Sequence, residues 1–123
     1  LQQFFSARGY PLKDHVEAFL VAADENRLDW RLLPSISIVE SSGGKHVRNN
    51  NVLGWGSASV KFESVRESIY AVARRLSSSK LYQNKDVDGI LGTYNTSAEY
   101  PARVKQIMNA IGPARPRLVL AMD

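Results

Sequence analysis

Glu40 is the acid of this chain best placed to move a proton. It follows Ile36 by four positions and Leu33 by seven, so on a helix it shares their apolar stripe. A carboxyl on such a stripe loses water, and desolvation disfavours the anion and raises the pKa. Unpaired carbonyls at the helix C-terminus push the same way. A glutamic acid tuned like this stays protonated near neutral pH and can serve as a general acid. The same residue can instead point past the helix end into solvent, as most glutamates do.

The segment after it supplies groups of another kind. Asn49, Asn50 and Asn51, then Gly54, Trp55, Gly56 and Ser57, combine amides, a hydroxyl, an indole and backbone freedom. Amides pair with sugar hydroxyls and an indole face stacks on a sugar ring, so the set suits a saccharide cleft. The alternative is a turn for the asparagines and a core anchor for Trp55. Between Glu40 and Glu63 there is no Asp or Glu. Glycosidases that use two carboxyls hold them ~5–5.5 Å apart when retaining and ~6.5–9.5 Å apart when inverting. A partner for Glu40 would therefore have to be a distant acid such as Glu63, Asp86, Asp88 or Glu99.

The elements that must position these groups read as helices. Val16, Phe19, Leu20 and Ala23 mark one face of a helix over residues 14–26, with Pro11 ahead of it. A second helix is expected from an N-cap at Asp29 through Leu33, Ile36 and Val39 to a stop at Gly43-Gly44, with Pro34 in its opening turn. Over residues 45–59 the apolar period vanishes, leaving a loop of the length that is either functional or disordered. Ser64 and Glu67 make a capping-box pattern for a helix whose buried face is Val65, Ile69, Val72 and Leu76, ending at the serines 77–79. Asp86 is the expected cap of a short helix reaching Tyr94, weakened by Gly89 and Gly92. The last helix runs over residues 99–111, with Tyr100, Val104, Ile107 and Ile111 inward, and Gly112-Pro113 ends it. Residues 114–123 read as a tail or linker. With no period-2 strand, repeat or low-complexity tract, the fold class is predicted all-α.

Four stretches resemble a known family. They are Leu28-Asp29-Trp30-Arg31-Leu32-Leu33-Pro34, Ile38-Val39-Glu40-Ser41, Asn50-Asn51-Val52-Leu53-Gly54-Trp55-Gly56-Ser57 and Tyr94-Asn95, with Tyr100 and Val104 downstream. Their order and spacing resemble the soluble lytic transglycosylases and goose-type lysozymes over residues 16–111. The resemblance implies a small single-domain lysozyme-like fold over residues 1–113, with a cleft loop after the catalytic helix. It also implies Glu40 as the catalytic glutamate, with Ser41, Asn50, Asn51, Gly54, Trp55, Ser57, Tyr94 and Asn95 at the substrate. The family's second motif reads Gly-Leu-Met-Gln, whereas this chain has Gly54-Trp55-Gly56-Ser57. Its third, Ala-Tyr-Asn, is matched in its last two members by Tyr94-Asn95, which would bring the Tyr94 hydroxyl near the glutamate or the substrate's acetamido group. Packing of Tyr94 under a helix end is the plainer reading.

The activity so implied is cleavage of peptidoglycan glycan strands at the β-1,4 bond between N-acetylmuramic acid and N-acetylglucosamine, giving 1,6-anhydromuramyl products. A muramidase or endo-β-N-acetylglucosaminidase would use the same site with water. The expected setting is periplasmic, extracellular or cell-wall, the expected state a monomer, and no cofactor is expected. A third class, a non-catalytic module binding glycan or nucleic acid, draws on Arg74, Arg75, Arg115 and Arg117 as phosphate contacts. The basic residues do not gather on one helix face, so no nucleic-acid partner is expected.

Bulk properties narrow the field. A length of 123 residues suits one core. Hydrophobic content of 44% with 23% charged residues excludes disordered and fibrous classes. No run approaches the ~18 apolar residues of a membrane span. Zero cysteines exclude disulfides and thiolate metal sites, and His15 and His46 make no ligand spacing, so no structural metal is expected. A net charge of +4 fits an acidic partner, whether nucleic acid, membrane surface or wall polymer, or simply the dispersal of a small domain. The initial Leu1, in place of methionine, reads as an excised domain or processed product.

Overall fold

A computed structural model describes residues 1–114, and among these every regular element is helical. In chain order they are α1 (Gln2–Ala7), a 3-10 turn (Pro11–His15), α2 (Val16–Glu25), α3 (Leu32–Ser41), α4 (Val65–Ser78), α5 (Val87–Tyr94) and α6 (Tyr100–Ile111). Helix α2 packs against α4, and both α3 and α5 pack against α6. A single cluster joins them, in which Phe5, Phe19, Leu33, Ile36, Leu53 and Val104 are fully buried. Each such side chain contributes ~1.5–3 kcal/mol by leaving water. No helix is long and apolar enough to cross a membrane among the described residues.

The sequence pattern does not announce α1. With six residues it is too short to show a period. It is held by Phe5, whose ring meets Tyr10 and Phe19 edge-on at 5.8 and 6.0 Å. Helix α2 starts at Val16, not at residue 14, because Pro11 opens a tighter 3-10 turn first. Its buried face is Ala18, Phe19, Ala22 and Ala23, while the expected core residue Leu20 is 38% exposed.

Helix α3 begins at Leu32, and Asp29 is not its N-cap. The Asp29 carboxylate instead accepts from the Arg31 backbone N–H at 3.0 Å and from its guanidinium at 2.8 and 2.9 Å. Arg31 also donates to the Gly112 carbonyl at 3.0 Å, and the Trp30 indole N–H donates to the Pro113 carbonyl at 3.0 Å. This clasp ties the end of α6 to the start of α3. Pro34 lies in the first turn, as its missing N–H requires. Leu32, Leu33 and Ile36 bury the helix in the core.

The stop comes at Ser42, one residue before the glycine pair, with φ 53°. Its N–H donates to the Ile38 carbonyl at 3.1 Å, and the Gly43 N–H donates to Ser37 at 3.2 Å. Gly43 is needed for a separate reason: at φ +65° an added Cβ would lie 2.3 Å from the Tyr10 ring. The N-terminal segment can thus close on the end of α3, where Leu12 N–H reaches the Gly43 carbonyl at 3.0 Å.

The long loop between α3 and α4 is built around Asn51. Its side-chain oxygen accepts from the Trp55 N–H at 2.9 Å, and its NH2 donates to the carbonyls of Trp55 at 2.7 Å and Val60 at 3.1 Å. Ser41 Oγ donates to Val52 at 2.8 Å, and Asn50 donates to Phe62 at 3.0 Å. Val52 and Leu53 are wholly buried and anchor the loop in the core.

Two expected caps form: Ser64 Oγ accepts from the Glu67 N–H at 3.0 Å, and Asp86 Oδ1 accepts from the Gly89 N–H at 2.8 Å. On α6 the inward residues are Tyr100, Val104 and Met108, whereas Ile107 and Ile111 are only half-buried. Arg115 and Arg117, with most of the expected tail, lie outside the described residues.

Asn51→Ala removes three hydrogen bonds and strands part-buried backbone groups of the loop. It should lower unfolding free energy by about 2–3 kcal/mol, read from urea denaturation. Asn51→Asp keeps the acceptor for Trp55 but sets a buried carboxylate oxygen against the Trp55 and Val60 carbonyls, so it should destabilise at least as much as Asn51→Ala.

Candidate active site

Three parts of the chain meet at Glu40. Helix α3 carries it in its last turn, half-buried. Because α3 packs along α6, the Tyr100 hydroxyl reaches Glu40 Oε2 and donates to it at 3.1 Å. The loop closes over the other oxygen through Gly54, at φ +69°. A Cβ there would lie 2.5 Å from Glu40 Oε1 and 2.8 Å from its Cδ. Only glycine admits both this backbone and this approach.

Glu40 faces a cavity of about 440 Å³ that is also lined by Gly54, Trp55, Ser57, Tyr94 and Asn95. The structure brings these sequence-derived candidates together. It does not bring Ser41, Asn50 or Asn51 there. Ser41 and Asn51 are each 2% exposed, with polar atoms occupied by backbone groups of the loop. Asn50 is half-buried and donates to Phe62. These three are corrected from substrate contacts to scaffold, since their polar groups are bonded within the loop and stand outside the cavity lining.

Another part of the lining comes from the end of α4 and the segment after it, with Arg75, Ser79, Leu81 and Tyr82. Of that wall the sequence singles out Arg75 alone, as a phosphate contact; Leu81 is 66% exposed.

An aromatic row runs along the site. Trp55 lies 5.7 Å from Tyr94 and 6.0 Å from Tyr82, tilted against both, and Tyr94 stacks on Tyr100 at 6.3 Å with planes 5° apart. The Tyr94 hydroxyl donates to the Leu53 carbonyl, which fixes the α5 end against the loop. That is the packing role; the Glu40 partner is Tyr100, a residue the sequence pattern marks only as inward-facing.

Burial raises the Glu40 pKa above the ordinary carboxylate value, against opposing contributions from the Tyr100 hydrogen bond and the Arg103 charge. Burial also pushes the phenols of Tyr94 and Tyr100 up, helped by the neighbouring Glu40 charge. Both stay neutral donors. The other acids are elsewhere: Asp86 caps α5, Asp88 pairs with Lys105 at 3.0 Å, and Glu63 and Glu99 are exposed. Among the described residues Glu40 is the one carboxylate of this cavity.

A larger cavity of about 550 Å³ lies beside Arg27, Asp29, Lys85 and Asp86, and shares Tyr82 with the first. Two of its acids are engaged within the fold, Asp29 by the Arg31 guanidinium and Asp86 by the Gly89 N–H. No three His, Cys, Asp or Glu side chains gather at metal-ligand spacing among the described residues.

Comparison of the chain with protein-family models, with characterised proteins and with solved structures finds no match. The class is therefore defined by fold and geometry: an all-helical domain with one half-buried carboxyl in an aromatic-walled cleft.

Two outcomes follow from this geometry. Gly54→Ala should displace the Glu40 carboxyl or the turn above it, and a crystal structure of the variant should show the Tyr100–Glu40 hydrogen bond lengthened or lost. The raised pKa means that the fold retains a proton the unfolded chain has released. Stability then falls as pH climbs from the ordinary carboxylate range through the Glu40 value. Glu40→Gln lacks that loss. Its advantage in melting temperature over the parent should be smallest at acidic pH, widen through the window and level off above it.

Proposed function

We propose that the chain is a lytic transglycosylase, cutting the β-1,4 bond between N-acetylmuramic acid and N-acetylglucosamine in peptidoglycan, in the periplasm or at the cell wall. The observation that carries this reading is the solitary carboxyl among the described residues of the cleft: Glu40 is held toward its neutral form where the other groups are aromatic rings, an amide, hydroxyls and a guanidinium. Such a site has one proton to give and no second carboxylate to activate water or attack the sugar.

Chemistry with those groups proceeds in two steps. Glu40 protonates the glycosidic oxygen as its bond to C1 breaks, and the N-acetylglucosamine portion leaves with that proton. The acetamido oxygen of the muramyl ring bonds to C1 and holds the positive charge as an oxazolinium. The Glu40 carboxylate then takes the proton of the muramyl 6-hydroxyl as that oxygen attacks C1 and displaces the acetamido oxygen. The product is a 1,6-anhydro ring, and no water is consumed. Tethering supplies the 6-hydroxyl at an effective concentration no bulk nucleophile matches. Tyr100 positions the carboxyl and stabilises its charged form between the steps. The Trp55 and Tyr82 rings offer faces for neighbouring sugars.

The family resemblance set out from the sequence points the same way, through Glu40, Gly54 and Tyr94-Asn95. Incubation with purified peptidoglycan should release fragments lacking a reducing end and one water lighter than hydrolysis products, by mass spectrometry. Glu40→Gln should reduce release by ~10²–10⁴-fold. Reducing-end fragments carrying heavy oxygen from labelled water would make the chain a hydrolase. Retention of activity in Glu40→Gln would remove it from the mechanism.

A further inference from the structure

Among the described residues Arg75 is the one cation lining the cleft, and the chemistry so far leaves it unused. It stands in the last turn of α4 with its side chain exposed. Among those same residues its guanidinium makes no hydrogen bond and no ion pair, although Arg31 and Lys105 elsewhere both find carboxylates. Ser79 and Leu81 line the same cavity. The Ser79 hydroxyl is close enough to accept weakly from the Leu81 N–H at 3.3 Å, which leaves its own proton to donate. Leu81 is the most exposed large apolar residue described, at 66%.

A guanidinium, a hydroxyl donor and an uncovered leucine make a wall for a particular kind of group. The guanidinium fork matches the two oxygens of a carboxylate. The hydroxyl can add a donor, and the leucine offers an apolar surface to a small alkyl branch. A single cation suits one negative charge better than a doubly charged phosphate. In a muramyl glycan the lactyl ether is that group, since it carries a carboxylate and a methyl branch on one carbon. In strands that bear stem peptides this carboxyl is an amide and has no charge for Arg75 to meet.

Resting on the transglycosylase reading, we propose that Arg75, with Ser79 and Leu81, binds the free lactyl carboxylate of a muramyl residue, so that the preferred substrate is glycan stripped of its stem peptides. The reaction that supplies it must be hydrolysis of the amide bond between lactyl group and peptide.

Binding is measured by titration calorimetry on the full chain carrying Glu40→Gln, so that strands survive. The ligands are a muramyl-containing tetrasaccharide with free lactyl carboxylates, the same molecule with each carboxylate converted to its methylamide, and neutral chitotetraose. The acid should bind roughly three- to ten-fold tighter than the amide at low salt, as expected for one exposed charge-assisted pair. The difference should shrink as salt is added. Arg75→Gln should bring the ratio close to one, and Arg75→Lys should keep part of it. Equal affinities for acid and amide, a preference indifferent to salt, or a ratio unchanged in Arg75→Gln would overturn the assignment. The salt series needs no Arg75 variant, so it tests the assignment even where that variant fails to fold. If chitotetraose binds and the acid preference is absent, only the Arg75 assignment falls. If none of the three binds, the glycan reading falls and takes this one with it.

Discussion

The close approach of the α3 end to the α6 start is the constraint on which this molecule turns. It is made by burying Leu33 and Ile36 of α3 against the core that Val104 of α6 also enters. One consequence is that a carboxyl and a phenol, both reluctant to leave water, are brought to 3.1 Å in a half-dry site. The hydrogen bond favours the Glu40 anion, burial disfavours it, and burial wins. The clasp of Asp29, Trp30 and Arg31 on Gly112 and Pro113 ties the same two helices at the other end of each.

The loop completes the site by bringing backbone, not side chain, against the carboxyl. Its polar groups mostly hold the loop itself: Asn51 bridges Trp55 and Val60, and Ser41 ties Val52 to the end of α3. Ser57 and Ala58 adopt left-handed backbones at φ 57° and 64°, beside Gly54 and Gly56. A non-glycine residue in that region costs of order 1 kcal/mol or more, so the turn persists only because Val52, Leu53 and the asparagine network over-determine it. The cavity wall is then set by the aromatic rings and Asn95 rather than by the asparagine run that first attracts notice.

The all-helical class and the caps at Ser64 and Asp86 were legible in the sequence because each depends on neighbours a few residues away, and the apolar stripe of α3 marked Glu40 as short of water although α6 and the loop complete its half-burial. The roles of Ser41 and Asn51 were not, since an amide has the same composition whether it faces a sugar or its own backbone. Tyr100 lies sixty positions from Glu40, and a period marks it as buried without saying against what. Arg75, Ser79 and Leu81 enter the cleft only through the packing of α4, which pattern alone does not orient. Two helix starts shifted by two residues, α2 because Pro11 opens a 3-10 turn first and α3 because Asp29 pairs with Arg31 instead of capping.

Burial holds the Glu40 carboxyl toward its protonated form. The most direct test is a carbon-13 NMR titration of the glutamate side-chain carboxyls, with the Glu40 signal assigned by its loss in Glu40→Gln. The Glu40 midpoint should lie above that of the exposed glutamates and shift further upward in Tyr100→Phe, because the donor that stabilises the anion is gone. A Glu40 midpoint at or below those of the exposed glutamates would contradict it.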